Sequence, residues 1–258
     1  MTNAQILKTD DGESLAYHRS EGSDLGGAGF IWCGGLKSNM KGGKALAMDS
    51  WARAGGHGFL RFDYFGHGES SGAFTDGTIT RWHADTLAVI DRLTTGGQIL
   101  VGSSMGGWQA LLAALARPER IKGLILVAPA PDFTQKLMWP SFSVDIQKQI
   151  MEAGIYYEPS PYGDPMEITR LLIESGREHL IMDGPIDFRG PVHILQGMQD
   201  EPVPWQFARR LVDLITSEQV EFTLVKDGDH RLSNPADITR LLNSAERMIA
   251  RLTEEKTL

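Results

Sequence analysis

One stretch of this sequence leaves the chain little freedom in how it folds. QILV (98–101) is an apolar run of strand character, and WQALLAALARPER (108–120) repeats Leu111, Leu112 and Leu115 at helical spacing. Only Gly102-Ser103-Ser104-Met105-Gly106-Gly107 separates them. A buried strand that turns this sharply into a helix is half of a βαβ unit, and such units build parallel sheets. The connection itself reads Gly-x-Ser-x-Gly, a pattern that carries chemical meaning in this strand–turn–helix context. Small residues two before and two after Ser104 relieve the crowding of so tight a turn. The turn lifts the Ser104 hydroxyl clear of the sheet, where the N-terminus of the next helix favours developing negative charge. Apart from this setting, the same residues would read as an ordinary glycine-rich loop.

The alternation continues in both directions. ILKT (6–9) and SLAYHRS (14–20) flank Asp10-Asp11-Gly12-Glu13 as a hairpin, and a glycine-rich loop follows (21–29). FIWC (30–33) reads as a buried strand, ending in the loop GGLKSNMKGG (34–43) before a helix over 45–56 closed by glycine. FLRFDYFGHGESSG (59–72) is a short strand and a turn-rich loop, and 78–95 is a helix carrying Trp82, Leu87, Ile90 and Leu93. Past the serine turn, strands are expected at 121–130 and 191–197, a strand and loop at 220–230, and helices at 202–215 and 236–252. The result is an α/β fold, a mostly parallel sheet covered by helices on both faces. Residues 131–188 break the pattern: they hold two helical stretches, about 141–153 and 165–181, separated by EPSPYGDP (158–165), with no convincing strand. They are read as a helical cap inserted over the sheet edge. The chain is therefore expected to form a single domain over 1–258.

Composition excludes several function classes. The formal net charge of −8 lacks the basic footprint of a nucleic-acid binder, and no apolar run reaches the length of a membrane span. The one cysteine, Cys33, supports neither a disulfide framework nor a cysteine metal site. Neither a phosphate-cradling GxxxxGK[ST] loop nor an HExxH metal motif occurs. The start, MTNAQILKTDDGE, has no basic and apolar leader, so a cytoplasmic protein is expected.

In a sheet of this kind, ligands sit beyond the carboxyl ends of the strands. The loops at 34–43, 63–72, 102–107, 197–204 and 226–233 all lie at such ends. A serine hydroxyl is a weak nucleophile and needs a base, which in turn needs an orienting acid. Asp200 follows one late strand and His230 follows the last, giving the chain order Ser104, Asp200, His230. Glu201 is the rival acid, and Asp227 and Asp229 are read as loop-capping residues. His57, His83, His179 and His193 are read as surface or packing residues, while the loop of His67 can border the site. The oxyanion hole needs two main-chain donors. These are assigned to the N–H groups of Met105, just after the nucleophile, and Leu36, after Gly34-Gly35. Asp63 is expected to be a structural hydrogen-bond partner. Met138, Trp139, Phe142 and Trp205 are the candidate substrate-binding residues, with lid packing as the alternative role.

These residues resemble the α/β-hydrolase superfamily over essentially the whole chain. GLKSNMKGGKALAMDSWARAGGHGFLRFDYFGHGESSG, QILVGSSMGGWQALLAALARPERIKGLILVA, ILQGMQDEPVPW and DGDHRLS resemble, more closely, the mitochondrial palmitoyl-protein thioesterase and acyl-glucuronide esterase family. The resemblance implies an eight-stranded sheet and Ser104, Asp200 and His230 as a triad. It also implies hydrolysis of esters or thioesters of small molecules or acylated peptides through an acyl-serine, with no cofactor. The 131–188 insertion matches less clearly, so the substrate does not carry over, and a mitochondrial address does not carry over either. The chain is expected to be a monomer. Alternatives on the same fold are a lactonase, a C–C hydrolase, an amidase or a non-catalytic ligand receptor.

Overall fold

The structure is a computed structural model that describes residues 3–22, 28–159 and 165–254. Most of the expected loop at 21–29 and linker at 158–165 lies outside the described residues. Strands β1 (Gln5–Lys8) and β2 (Ser14–Ser20) form the expected hairpin, which opens an eight-stranded sheet among the described residues. The other six strands are β3 (Gly29–Cys33), β4 (Phe59–Phe62), β5 (Gln98–Ser103), β6 (Ile121–Val127), β9 (Val192–Gly197) and β10 (Val220–Val225). Their order across the sheet is β1-β2-β4-β3-β5-β6-β9-β10. All neighbours from β4 onward pair in parallel, while the β1–β2 and β2–β4 pairs are antiparallel.

Period-two alternation sorts the strand residues onto two apolar layers. Ile31, Leu100, Leu124 and Leu126 face one layer, where they pack with Trp82, Val89 and Ile90 of α2 (Ile79–Leu93) and with Trp108 and Leu111 of α3 (Met105–Ala116). Leu211 of α7 (Trp205–Leu214) joins that layer. Phe30, Trp32, Ile99, Val101, Ile125 and Val127 face the other, against Ala45, Met48 and Ala52 of α1 (Gly43–Ala54). Leu241, Ala245 and Met248 of α8 (Pro235–Glu254) complete it. Both faces are buried, which is why the central strands read as unbroken apolar runs. No helix among the described residues is long and apolar enough to cross a membrane.

The inserted region differs from its sequence reading. A π-helical turn (Thr134–Met138) runs into α4 (Trp139–Ser141) and then α5 (Val144–Ala153). Next comes an antiparallel pair, β7 (Ile155–Glu158) and β8 (Met166–Thr169), where no strand was expected. The helix expected over 165–181 is confined to α6 (Arg170–Arg177). The reason is local: the Thr169 hydroxyl accepts from the Leu172 N–H at 3.1 Å. That N-cap fixes the helix start and leaves Met166–Thr169 to pair with Ile155–Glu158. Each strand is only four residues long, too short for periodicity to reveal. Phe142, Ile150, Ile168 and Ile173 form a small apolar cluster that ties α5 and α6 to the strand pair. At the neck, buried Asp132 accepts from the Ile181 and Met182 N–H groups, each at 2.9 Å, and so clamps the two ends of the insertion together.

Candidate active site

Ser104 links β5 to α3 and has φ 54° and ψ −120°, a conformation that costs a non-glycine residue on the order of 1–3 kcal/mol. Its surroundings hold it there. Its N–H donates to the Val127 carbonyl at 2.9 Å, and its own carbonyl accepts from Gly107 at 2.8 Å and Ala130 at 3.1 Å. The two flanking glycines answer a packing need. A Cβ on Gly102 would lie 2.4 Å from the Gly106 carbonyl oxygen, and one on Gly106 would lie 2.0 Å from that of Cys33. Main chain meets main chain here, so no side chain fits.

The acid and base arrive from the carboxyl ends of β9 and β10. His230 Nε2 lies 3.0 Å from Ser104 Oγ, and His230 Nδ1 lies 2.8 Å from Asp200 Oδ2. With Asp200 accepting at Nδ1–H, the neutral imidazole presents a lone pair to the serine hydroxyl. Asp200 is 5% exposed, so its carboxylate must be satisfied within the protein. Oδ1 accepts from the Val203 N–H at 2.8 Å, and Oδ2 also accepts from Gln196 Nε2 at 2.8 Å. The rival acid, Glu201, is exposed on the wall of the cavity, and it is Asp200 that holds the imidazole. Asp229 caps the loop by accepting from the Arg231 and Leu232 N–H groups at 3.1 and 2.9 Å.

Beside Ser104 runs the loop after β3. A Cβ on Gly35 would lie 3.5 Å from the Ser104 Cβ, so this loop passes directly against the serine. Leu36 and Met105 both line the same cavity as Ser104 and His230. Asp63, after β4, supports the loop by accepting from the Met40 N–H at 2.6 Å and from Glu69 at 2.9 Å. His67 is buried and accepts from the Lys37 N–H of that loop at 3.1 Å.

The cavity measures about 840 Å³, at the upper end of the usual range for small-molecule sites. The insertion supplies Phe133, Leu137, Met138 and Met166 to its wall, and the acid loop supplies Pro202, Val203 and Pro204. Lys37, Lys44, Arg231, Glu158 and Glu201 add charge. Burial pushes the Lys44 ammonium down to about 8, and it donates to the Arg231 carbonyl and, at 3.3 Å, to Ser233 Oγ. Burial likewise raises the Glu158 carboxyl.

Of the four candidate substrate-binding residues, Met138 lines the cavity, and Trp139, Phe142 and Trp205 are not among its lining residues. Phe142 is 8% exposed and turned into the cap's own cluster, edge-on to Tyr156 at 5.7 Å. Trp139 packs on that cluster beneath the Arg177 guanidinium, and Trp205 is half-buried at the start of α7. An apolar residue near a site is as readily absorbed by cap packing as by a binding wall. Sequence reasoning missed Gln196, Lys37 and Lys44. The 133/137 spacing of Phe133 and Leu137 is the signal that could have found the cap's contribution to the wall.

With the geometry in place, comparison with known proteins adds a family context. Residues 32–153 match the family described as alpha/beta hydrolase fold. The chain is 38% identical to the rat (Rattus norvegicus) palmitoyl-protein thioesterase ABHD10, mitochondrial, over 98% of this chain and 84% of that protein. Among solved structures, a putative hydrolase from Agrobacterium vitis is 44% identical with a TM-score of 0.91, covering 96% of this chain and 98% of the other. The alpha/beta hydrolase domain-containing protein 10 from mouse is 37% identical with a TM-score of 0.88, covering 97% of this chain and all 100% of its own.

Proposed function

Because this chain belongs to the α/β-hydrolase family, alongside the mammalian thioesterases named ABHD10, we propose that it hydrolyses thioesters and carboxylic esters through Ser104, His230 and Asp200. The observation that carries the proposal is the continuous run of contacts from hydroxyl to imidazole to carboxylate, at 3.0 and 2.8 Å. Ser104 Oγ attacks the acyl carbonyl as His230 Nε2 takes its proton. The charge that develops on the carbonyl oxygen is met by the Leu36 and Met105 N–H groups. Asp200 stabilises the imidazolium without being protonated itself. Collapse breaks the C–S or C–O bond, and the leaving thiolate or alkoxide takes the proton from His230. Water then attacks the acyl-serine with His230 again as base, releasing the acid and restoring Ser104.

The acyl group is placed against Leu36, Phe133, Leu137, Met138 and Met166, the apolar part of the wall. Substrates are acylated small molecules or peptides. A panel of acyl-CoA, S-acyl peptide, acyl glucuronide and p-nitrophenyl ester, run with wild type and Ser104→Ala, tests the proposal. Turnover of the thioesters and esters that vanishes in the variant supports it, and residual turnover in Ser104→Ala refutes it. A cytoplasmic location is part of the proposal, and cell fractionation tests it against the mitochondrial address in the relatives' names.

A further inference from the structure

Residue 37 sits where three elements meet at the cavity wall. Lys37 directly follows Leu36 and has φ 55°, a left-handed conformation that a lysine keeps only when its surroundings impose it. Below, its main-chain N–H donates to His67 Nε2 at 3.1 Å. Since Nε2 accepts, the ring proton sits on Nδ1, which donates to the Phe65 carbonyl at 3.1 Å. His67 is 4% exposed, packed among the rings of Tyr64, Phe74 and Trp82. It is a fixed acceptor, and burial lowers its pKa and keeps it neutral. Above, the Lys37 ammonium pairs with Glu167 of β8 and donates to the Pro165 carbonyl at 3.3 Å. It also lies over the Phe74 ring, 5.2 Å from its centre. One residue therefore joins the loop after β3, the loop after β4 and the cap's strand pair.

We propose that Lys37 is a positioning residue for the reaction: held between His67 and β8, it fixes the direction in which the preceding Leu36 N–H points. The inference rests on the reading that Leu36 is an oxyanion donor. Hydrogen bonds weaken steeply as their angle closes, so a small rotation of the Gly35–Leu36 peptide, which adjoins the Leu36–Lys37 peptide held by His67, costs more in the transition state than in the ground state. On this reading the cap strand contributes to transition-state stabilisation without touching the reacting atoms. Glu167, which is not among the cavity residues, acts through Lys37.

The test uses Lys37→Met, Glu167→Gln and the double variant in the full chain. Turnover is read with p-nitrophenyl acetate, and oxyanion-hole quality with phenylboronic acid, which forms a tetrahedral adduct on the serine. Removing a whole oxyanion donor costs about 10²–10³-fold, so a misaimed one is expected to lower kcat about tenfold. KM should change less than about twofold, and boronate affinity should fall by the same factor as kcat. The double variant should be no slower than the worse single one, because both changes cut the same link. The Lys37–Glu167 pair is partly exposed, so Glu167→Gln should keep a wild-type thermal midpoint and preserve the readout. Wild-type kcat and boronate affinity in both single variants would overturn the inference, as would a kcat loss with boronate affinity unchanged. Ser104→Ala separates the two claims. Residual turnover there refutes the serine mechanism. A dead Ser104→Ala beside wild-type-like Lys37→Met and Glu167→Gln refutes the role of Lys37 alone.

Discussion

Asp200→Asn changes one atom of a carboxylate that accepts three hydrogen bonds. Oδ1 takes the Val203 N–H, while Oδ2 takes both His230 Nδ1–H and Gln196 Nε2–H. An amide offers one oxygen and one NH₂ group, so either orientation sets donor against donor. With the oxygen kept toward Val203, the new NH₂ faces Gln196 and His230. The imidazole then escapes the conflict by becoming an acceptor at Nδ1, which moves its proton to Nε2. A protonated Nε2 cannot take the hydroxyl proton across the 3.0 Å to Ser104. With the amide reversed, NH₂ meets the Val203 N–H, and a buried donor is left unpaired at about 1–3 kcal/mol. The tautomer error is the larger kinetic effect: about 10⁴-fold in kcat, or roughly 5 kcal/mol of transition-state stabilisation. The assay is the steady-state rate on a p-nitrophenyl ester, with the thermal midpoint measured in parallel. A loss smaller than about tenfold would show that this carboxylate does not set the histidine tautomer, and the serial mechanism would fail.

Gln196→Leu removes a donor from Asp200 while keeping the side chain's bulk, so kcat should fall about tenfold with little change in KM, and an unchanged kcat would leave Gln196 as packing alone. Gly106→Ala drives a methyl to 2.0 Å from the Cys33 carbonyl and 2.5 Å from that of Gly34, both backbone atoms. The thermal midpoint should drop by the equivalent of about 1–3 kcal/mol and activity should collapse; a wild-type midpoint would contradict the close approach. Asp85 is buried and its carboxyl is pushed up from 3.8 to about 6, chiefly by desolvation. A folded-state pKa above the unfolded one gives stability that is fully present below pH 3.8 and lost as pH rises through about 6. The loss is on the order of 3 kcal/mol. The stability of Asp85→Asn relative to wild type should therefore rise between pH 4 and pH 8, as followed by urea denaturation; a difference independent of pH would refute the assignment.

The sheet was legible because its cause is local and repeated. Each central strand buries both faces, so QILV (98–101) and its neighbours read as unbroken apolar runs between turn residues. The elbow was legible because backbone crowding at Gly102 and Gly106 forbids a side chain, a constraint written directly in residue type. Asp200 and His230 followed from strand order, since each lies just past a strand's carboxyl end. The cap was less legible for the opposite reason. Its strand pair has four residues a side, and Met166–Thr169 carries the same apolar residues a helix would use. Thr169 was the available signal, as an N-cap that divides strand from helix. Trp139 and Phe142 pack within the cap, the alternative role the sequence left open, because aromatic type tells of burial and not of which surface does the burying. Lys37 and Lys44 were invisible because their partners lie far along the chain, at His67, Glu167 and the Arg231 carbonyl, whereas Gln196 lies close to Asp200 in sequence but serves a carboxylate whose use depends on the distant His230.

The central claim is that one hydroxyl becomes covalently acylated when one imidazole accepts its proton. Treatment with a fluorophosphonate, followed by peptide mass spectrometry, reads this directly. The account predicts a single adduct on Ser104, formed orders of magnitude more slowly in His230→Ala. An adduct on another residue, or ester turnover that continues with Ser104 unmodified, would contradict it.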